Sequence, residues 1–88
     1  MTLTDLMQML GGERIELWVV LSKDEWGASI IGGEIKEGAM LGGGNGWGPS
    51  PLAALQDLCR KLAGKRLVLD AFKDSRKEFN IPSSLRLE

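Results

Sequence analysis

The chain has 88 residues, of which 43% are hydrophobic and 26% are charged, and its formal net charge is −1. This composition argues against a disordered protein, and the length holds a single small core, so we expect one domain over residues 1–88. With no histidine and one cysteine, the chain excludes histidine-based catalytic triads and dyads and the usual zinc ligand sets.

The charges are divided unevenly along the chain. Residues 1–59 hold three basic and eight acidic side chains, a net charge of −5, whereas residues 60–88 hold eight basic and four acidic ones, a net charge of +4. This division predicts either two oppositely charged surfaces, each suited to a partner, or charges that fold back and neutralise each other.

Other features predict a cytoplasmic protein with no cofactor and no bound metal. Cys59 has no second cysteine with which to form an internal disulfide, and no apolar run follows a basic N-terminal stretch. The longest apolar run, residues 17–21, is far shorter than the roughly 20 residues that span a bilayer. Residues 86–88 form a tail that ends in Leu87-Glu88, which resembles a cloning scar and carries no functional argument.

The first predicted element is a short helix over residues 3–10. Thr2 precedes Asp5 by three residues, which is typical of a capping box. Apolar residues then recur with helical spacing, and Gly11-Gly12 ends the run. Two turns are too few for a stable isolated helix, so its apolar side is expected to pack on the rest of the domain.

A strand is predicted next, over residues 13–22, because the apolar period changes to two. One face, predicted to be buried, consists of Ile15, Leu17, Val19 and Leu21. The opposite face carries Trp18 and Val20, and we expect Trp18 to face solvent there.

Two further strands complete a predicted meander. Residues 26–31 are expected to pair with the first strand after a polar turn, and residues 39–41 to form a third, weaker strand. Gly32-Gly33 either ends the second strand or forms a bulge within it, and the sequence leaves both open.

A glycine-dense segment, residues 42–48, leads into the clearest helix of the chain. Ser50 is the predicted N-cap, Pro51 suits the first helical position, and Gly64 ends the helix. The predicted buried stripe of this helix is Leu52, Leu55, Leu58, Cys59 and Leu62.

The remaining residues are less regular. Residues 65–70 alternate weakly and could form a fourth strand at an edge of the sheet. Residues 72–80 suit either an exposed helical turn or an ordered loop between two aromatic anchors, Phe72 and Phe79, and Ile81-Pro82 ends any helix.

The predicted fold class is therefore α+β, in the order α-β-β-β-α, with the long helix packed on one face of the meander. Over residues 2–63 this order resembles the double-stranded-RNA-binding domain, an architecture shared by HicB-type antitoxins. The stretch Gly48-Pro49-Ser50-Pro51-Leu52-Ala53-Ala54-Leu55 is similar to the helix entry of HicB-type antitoxins. RNA-binding members open that helix with lysines, and the absence of any basic residue in 48–54 argues against duplex-RNA binding. The chain also resembles small accessory proteins of phages and prophages, which implies a bacterial or phage origin.

The sequence offers no strong candidate for catalysis. The glycine segment lacks the lysine and hydroxyl of a phosphate-binding loop after Gly48, and Pro49 and Pro51 have no amide to donate, so we interpret the segment as a structural turn. The carboxylate pairs Glu13/Glu16 and Glu34/Glu37 have spacings with no specificity for acid–base chemistry. We therefore predict that the chain is not an enzyme.

The tryptophans are the best functional clue, because tryptophan is enriched among the residues that anchor protein interfaces. The predicted function is a protein-interaction module that binds a protein partner or itself, as a homodimer, through a sheet face. The candidate interaction residues are Trp18, Val20, Trp26 and Trp47.

Nucleic-acid binding by a C-terminal basic patch is the alternative. Cationic side chains that contact phosphates would give an affinity that falls steeply with salt. The candidate residues are Arg60, Lys61, Lys65, Arg66, Lys73, Arg76 and Lys77.

Overall fold

The computed structural model describes all 88 residues and consists of two helices and seven strands in two antiparallel sheets. The α+β class is confirmed. The elements are α1 (Leu3–Met9), β1 (Ile15–Val20), β2 (Glu25–Ile30), β3 (Gly33–Glu37), β4 (Met40–Gly42), β5 (Gly46–Gly48), α2 (Pro51–Leu62), β6 (Arg66–Leu69) and β7 (Lys77–Asn80), and a single 3-10 turn (Leu21–Lys23) joins β1 to β2.

The strands form two sheets where the sequence analysis predicted one meander. The first sheet has the order β1-β2-β5 and the second has the order β4-β3-β6-β7. The predicted hairpin of β1 with β2 is present, with Trp18 opposite Gly27. The chain leaves the first sheet at Gly32, whose φ of +73° turns the backbone, so the glycine pair ends β2 and starts β3 of the second sheet.

Helix α1 begins at the predicted capping box. The Asp5 amide donates to Thr2 Oγ1 at 3.1 Å, and the Thr2 amide donates to Asp5 Oδ2 at 3.0 Å. The helix buries Leu3, Leu6 and Met7 in the core. The Leu3 amide also donates to the Arg86 carbonyl at 2.8 Å, so the C-terminal segment is attached beside the start of this helix.

Helix α2 also begins as predicted. Ser50 caps it by accepting from the Ala53 amide at 3.1 Å, and Pro51 is its first residue. The predicted buried stripe is wrong at one position, because Leu52 is 57% exposed. The side of the first turn that carries Leu52 faces an open groove along the C-terminal segment and does not reach the sheet.

Helix α2 packs on β2 and β5 and leaves β1 uncovered. At Gly46 in β5 a Cβ atom would collide with the Ala54 carbonyl and the Leu58 amide, so only glycine lets the helix backbone approach this closely. Because the helix lies over the far side of the sheet, the prediction of a buried odd-numbered face of β1 is wrong for Leu17, Val19 and Leu21, whereas Ile15 does pack against the core. Leu17 is 42% exposed and Val19 is 40% exposed.

One hydrophobic core joins both helices and both sheets. Its fully buried side chains include Leu6 of α1, Leu58 and Leu62 of α2, and Leu67 of β6. Neither helix has the length and apolarity needed to cross a bilayer.

The segment from residue 65 to residue 80 differs from the predictions in two ways. The predicted strand is present as β6, but it lies inside the second sheet between β3 and β7 and is not at an edge. Residues 77–80 form β7, in which Phe79 packs against the core. Phe72 is 90% exposed and is therefore not the aromatic anchor that was predicted.

Candidate interaction surface

The register of the first sheet decides which tryptophans share a face. Residues directly opposite each other in an antiparallel pair project to the same side of the sheet. Trp18 is opposite Gly27, and Gly27 is opposite Trp47, so both indoles lie on the face away from α2. Trp26 neighbours Gly27 in β2 and therefore lies on the other face.

Trp18 and Trp47 contact each other across β2. Their ring centroids are 5.4 Å apart and the rings are nearly perpendicular, at 89°. This edge-to-face arrangement is a favourable geometry for aromatic pairs. The Trp18 ring also covers Gly27, where a Cβ atom would overlap it. Trp18 is consequently half-buried and does not stand free in solvent.

Three of the four predicted interaction residues share this face. Val20 is on the same side as Trp18, opposite Glu25, and is partly buried. Trp26 instead packs against the core on the α2 side, where it helps to hold the helix on the sheet. The structure therefore places Trp18, Val20 and Trp47 together and Trp26 apart from them.

The most exposed apolar residues beside Trp18 project to the opposite face of the sheet, and the sequence analysis predicted them to be buried. We call Leu17, Val19 and Leu21 the edge patch, because the first two lie in edge strand β1 and the third follows it directly. Leu21 is 85% exposed. Both faces of residues 15–21 are apolar in the sequence, and this is the signal that could have identified the patch.

The seven candidate basic residues do not form one free cationic surface. Lys65 pairs with Glu37 at 3.0 Å, and Arg66 and Arg76 pair with Glu78 at 3.5 and 3.2 Å. The ion pairs of Arg60 and Lys61 are both made to Asp57. The two candidates that make no ion pair are Lys73 and Lys77.

Several of these pairs join the acidic and the basic parts of the chain. Glu37 contacts Lys65, and Lys36 contacts Glu78 at 3.6 Å. Burial raises the pKa of Glu78, but Lys36 and the neighbouring arginines have the larger combined effect and hold this pKa below its usual value. Glu37 and Asp57 are the two acidic side chains of residues 1–59 that pair with cations of residues 60–88, so the uneven charge of the sequence is neutralised only in part within the fold.

Asp57 connects α2 to the outer strand of the first sheet. Its carboxylate accepts from the Trp47 amide at 2.9 Å and contacts Arg60 and, at 3.2 Å, Lys61. Burial raises its pKa, but the Trp47 amide and the two cations together lower it to about 2.

Four titratable groups have pKa values that depart from their ordinary ones. The three carboxyl groups whose pKa values shift, those of Asp5, Asp57 and Glu78, all have lowered values. A general acid at neutral pH needs a raised value. Burial raises the pKa of the Cys59 thiol, which makes it less nucleophilic. No three potential metal-ligating side chains come together.

The glycine segment borders the one groove that gathers several of the candidate cations. This open groove has a volume of about 580 Å³, and Gly42–Gly44 line it together with Arg60, Lys61 and Lys65. Lys61 also donates to the Asn45 carbonyl at 2.9 Å, so it fastens the glycine segment to α2. The contacts of these cations are structural ones, to carboxylates and a carbonyl of their own chain.

Comparison of this chain with models of known protein families, with curated proteins and with solved structures found no match.

Proposed function

We propose that this chain is a non-enzymatic protein-interaction module that binds a protein partner, or a second copy of itself, through the β1 side of its three-stranded sheet. The observation that carries this proposal is the edge patch. Leu17 and Val19 alternate along a strand that has no neighbour on its outer side, and Leu21 begins the 3-10 turn that follows this strand. Exposed apolar side chains that are contiguous along an element are typical of protein interfaces.

The aromatic pair supports the same location. Trp18 lies in β1 between the two exposed residues of that strand, on the opposite face, and Trp47 holds its ring in one orientation. A rigid, half-exposed indole loses little side-chain entropy when a partner covers it, which makes it a suitable anchor. A partner seated along β1 would therefore meet apolar groups on both faces of the sheet.

The charge arrangement favours a protein partner over a nucleic acid. Phosphates would have to compete with the carboxylates that already pair with five of the seven candidate cations. Breaking such pairs costs part of the affinity that the phosphates would supply. A mobility shift of DNA or RNA that disappears with added salt would favour the nucleic-acid alternative.

Selection from a displayed library of extended random peptides tests the proposal without assuming a partner. We expect peptides with alternating apolar residues to be enriched, because a strand along β1 meets an apolar row on each face. The selected peptides should bind the wild-type chain and lose at least about tenfold in affinity for the double variant Leu17→Lys/Val19→Lys, since buried lysines oppose docking.

The control is Leu52→Lys, which places one lysine on an exposed leucine of α2 away from β1. Peptide binding should be unchanged in this variant. The proposal is wrong if neither peptides nor a second copy bind in a way that depends on Leu17 and Val19.

A further inference from the structure

The two sheets have four outer strands, and three of them are protected against pairing with another strand. The outward amide of Trp47 in β5 is occupied by Asp57, at 2.9 Å. Strand β4 has three residues, and β7 presents Lys77 and Glu78 among its four. Short strands, charged side chains and capped amides are the usual means of preventing edge-to-edge association. Strand β1 has six residues, carries a single charged side chain, Glu16, and has no outward amide occupied by a side chain, so it is the least protected of the four.

The backbone groups that β1 offers at its open edge follow from its pairing with β2. The Ile31 amide donates to the Arg14 carbonyl at 2.6 Å, so these two residues form a hydrogen-bonded pair at the end of the ladder. Because such pairs alternate along an antiparallel ladder, the even-numbered residues of β1 bond to β2. The N–H and C=O groups of Ile15, Leu17 and Val19 therefore point away from the sheet.

These free backbone groups coincide with the exposed side chains. Leu17 and Val19 contribute both the outward backbone groups and two members of the edge patch. They lie on the same side of the sheet as α2, but the helix does not reach them. The helix lies over Gly46 and Gly48 of β5, which is separated from β1 by β2. An added strand would pair with the backbone of these residues and cover their side chains at the same time.

We propose that the occupant of this edge is the β1 strand of a second copy, paired antiparallel about a two-fold axis. The two three-stranded sheets then become one six-stranded sheet with the order β5-β2-β1-β1-β2-β5. This inference rests on the proposed function and specifies its partner. An isologous pair of edges is self-complementary, since each outward group on one copy meets its counterpart on the other.

Charge and side-chain matching favour a register centred on Trp18. A pairing centred on Glu16 would place two like charges opposite each other, which is unfavourable. A pairing centred on Trp18 places Leu17 of one copy opposite Val19 of the other. It also brings Glu13 of one copy toward the 3-10 turn of the other, which carries Lys23. Neither of these two charged side chains has an ion pair within its own chain.

The dimer should be weak and concentration-dependent. Six residues of strand with a few exposed apolar side chains bury less surface than a standard stable interface. Analytical ultracentrifugation between micromolar and millimolar concentrations is the appropriate measurement of the equilibrium.

The decisive variants are Val19→Pro and its control Val19→Ala. Both remove the valine side chain, but only proline removes the outward N–H, and this N–H is not bonded to β2, so the domain keeps its own ladder. We expect the proline variant to dimerise at least about tenfold more weakly than the alanine variant, the effect of one lost hydrogen bond at each symmetric position. Circular dichroism of both variants checks that the fold is intact.

Hydrogen exchange on the wild-type chain tests strand pairing at β1 without a substitution. The amides of Leu17 and Val19 should become protected as the protein concentration rises. The amides of Glu78 and Asn80 in β7 are the control. The Ile81 amide donates to the Lys65 carbonyl, so every second residue from Ile81 bonds to β6, and the amides of Glu78 and Asn80 point away from the sheet. These two should exchange at the same rate at every concentration.

The charge pair tests the register. Glu13→Lys alone should weaken the dimer, and the combination with Lys23→Glu should restore it, because the exchange of charges recreates the attraction.

A chain that stays monomeric at all concentrations but binds peptides at β1 would overturn the proposal that a second copy occupies this edge. The proposed function would still stand in that case. A dimer with equal association of the proline and alanine variants and unprotected Leu17 and Val19 amides would overturn strand pairing. Loss of both dimer and peptide binding would overturn both proposals.

Discussion

Replacement of Asp57 by asparagine should destabilise the fold in a pH-dependent manner. The change removes the negative charge but keeps an oxygen that can accept from the Trp47 amide. The pKa of this carboxyl falls from an ordinary 3.8 to about 2 in the folded chain. At about 1.4 kcal/mol per pKa unit, the lowered value corresponds to at most about 2 to 3 kcal/mol of stability.

The expected loss is about 1 to 2 kcal/mol at neutral pH, because Arg60 and Lys61 lie largely in solvent, which screens their attraction to Asp57. For a domain of this size that loss lowers Tm by roughly 4 to 16 °C. Because the folded pKa is below the unfolded one, the contribution is present above about pH 4 and is lost as the pH falls toward about 2. The difference between wild type and Asp57→Asn should be roughly halved at about pH 3.

Urea unfolding followed by tryptophan fluorescence, at neutral pH and at about pH 3, measures both quantities. Asp74→Asn is the control, since Asp74 is an exposed carboxylate that makes no ion pair. A difference in the free energy of unfolding between wild type and Asp57→Asn that does not change with pH would refute the reasoning. It would show that the loss comes from altered packing or hydrogen bonding and not from the removed charge. An equal effect of Asp74→Asn would refute it as well.

Two further predictions concern helix α2. Leu58→Ala should lower the free energy of unfolding by about 2 to 5 kcal/mol, because it leaves a cavity at a fully buried position, whereas Leu52→Ala at an exposed position of the same helix should change it by less than about 0.5 kcal/mol. Comparable losses for the two variants in urea would contradict the packing of α2 on the sheet. Cys59 is buried and its pKa is raised, so Ellman's reagent should label it slowly in the native chain and rapidly in denaturant. Rapid labelling under native conditions would mean that α2 does not cover this thiol.

Local signals in the sequence predict the helix boundaries correctly. Thr2 with Asp5, and Ser50 with Pro51, act within a few residues of the backbone groups that they satisfy, so no knowledge of the tertiary structure is needed to interpret them. The hairpin of β1 with β2 is confirmed for the same reason, since a short polar turn joins two alternating segments.

The candidate surface required more than local signals. The period of residues 15–21 predicts two faces, but both faces are apolar, so the sequence cannot say which one the rest of the chain covers. The structure shows that α2 reaches β2 and β5 and stops short of β1, which leaves Leu17 and Val19 exposed and leaves Trp18 to be sheltered by Trp47.

The sequence by itself determined the class of the fold, the starts of both helices and the first hairpin, because capping, turn formation and alternation depend on neighbouring residues. Only the tertiary structure decided the division of the strands into two sheets, the ion pairs that join the two charged parts of the chain, and the open edge at β1. Each of these depends on contacts between distant residues, such as Glu37 with Lys65 and Trp47 with Asp57, and on where a helix lies relative to a sheet.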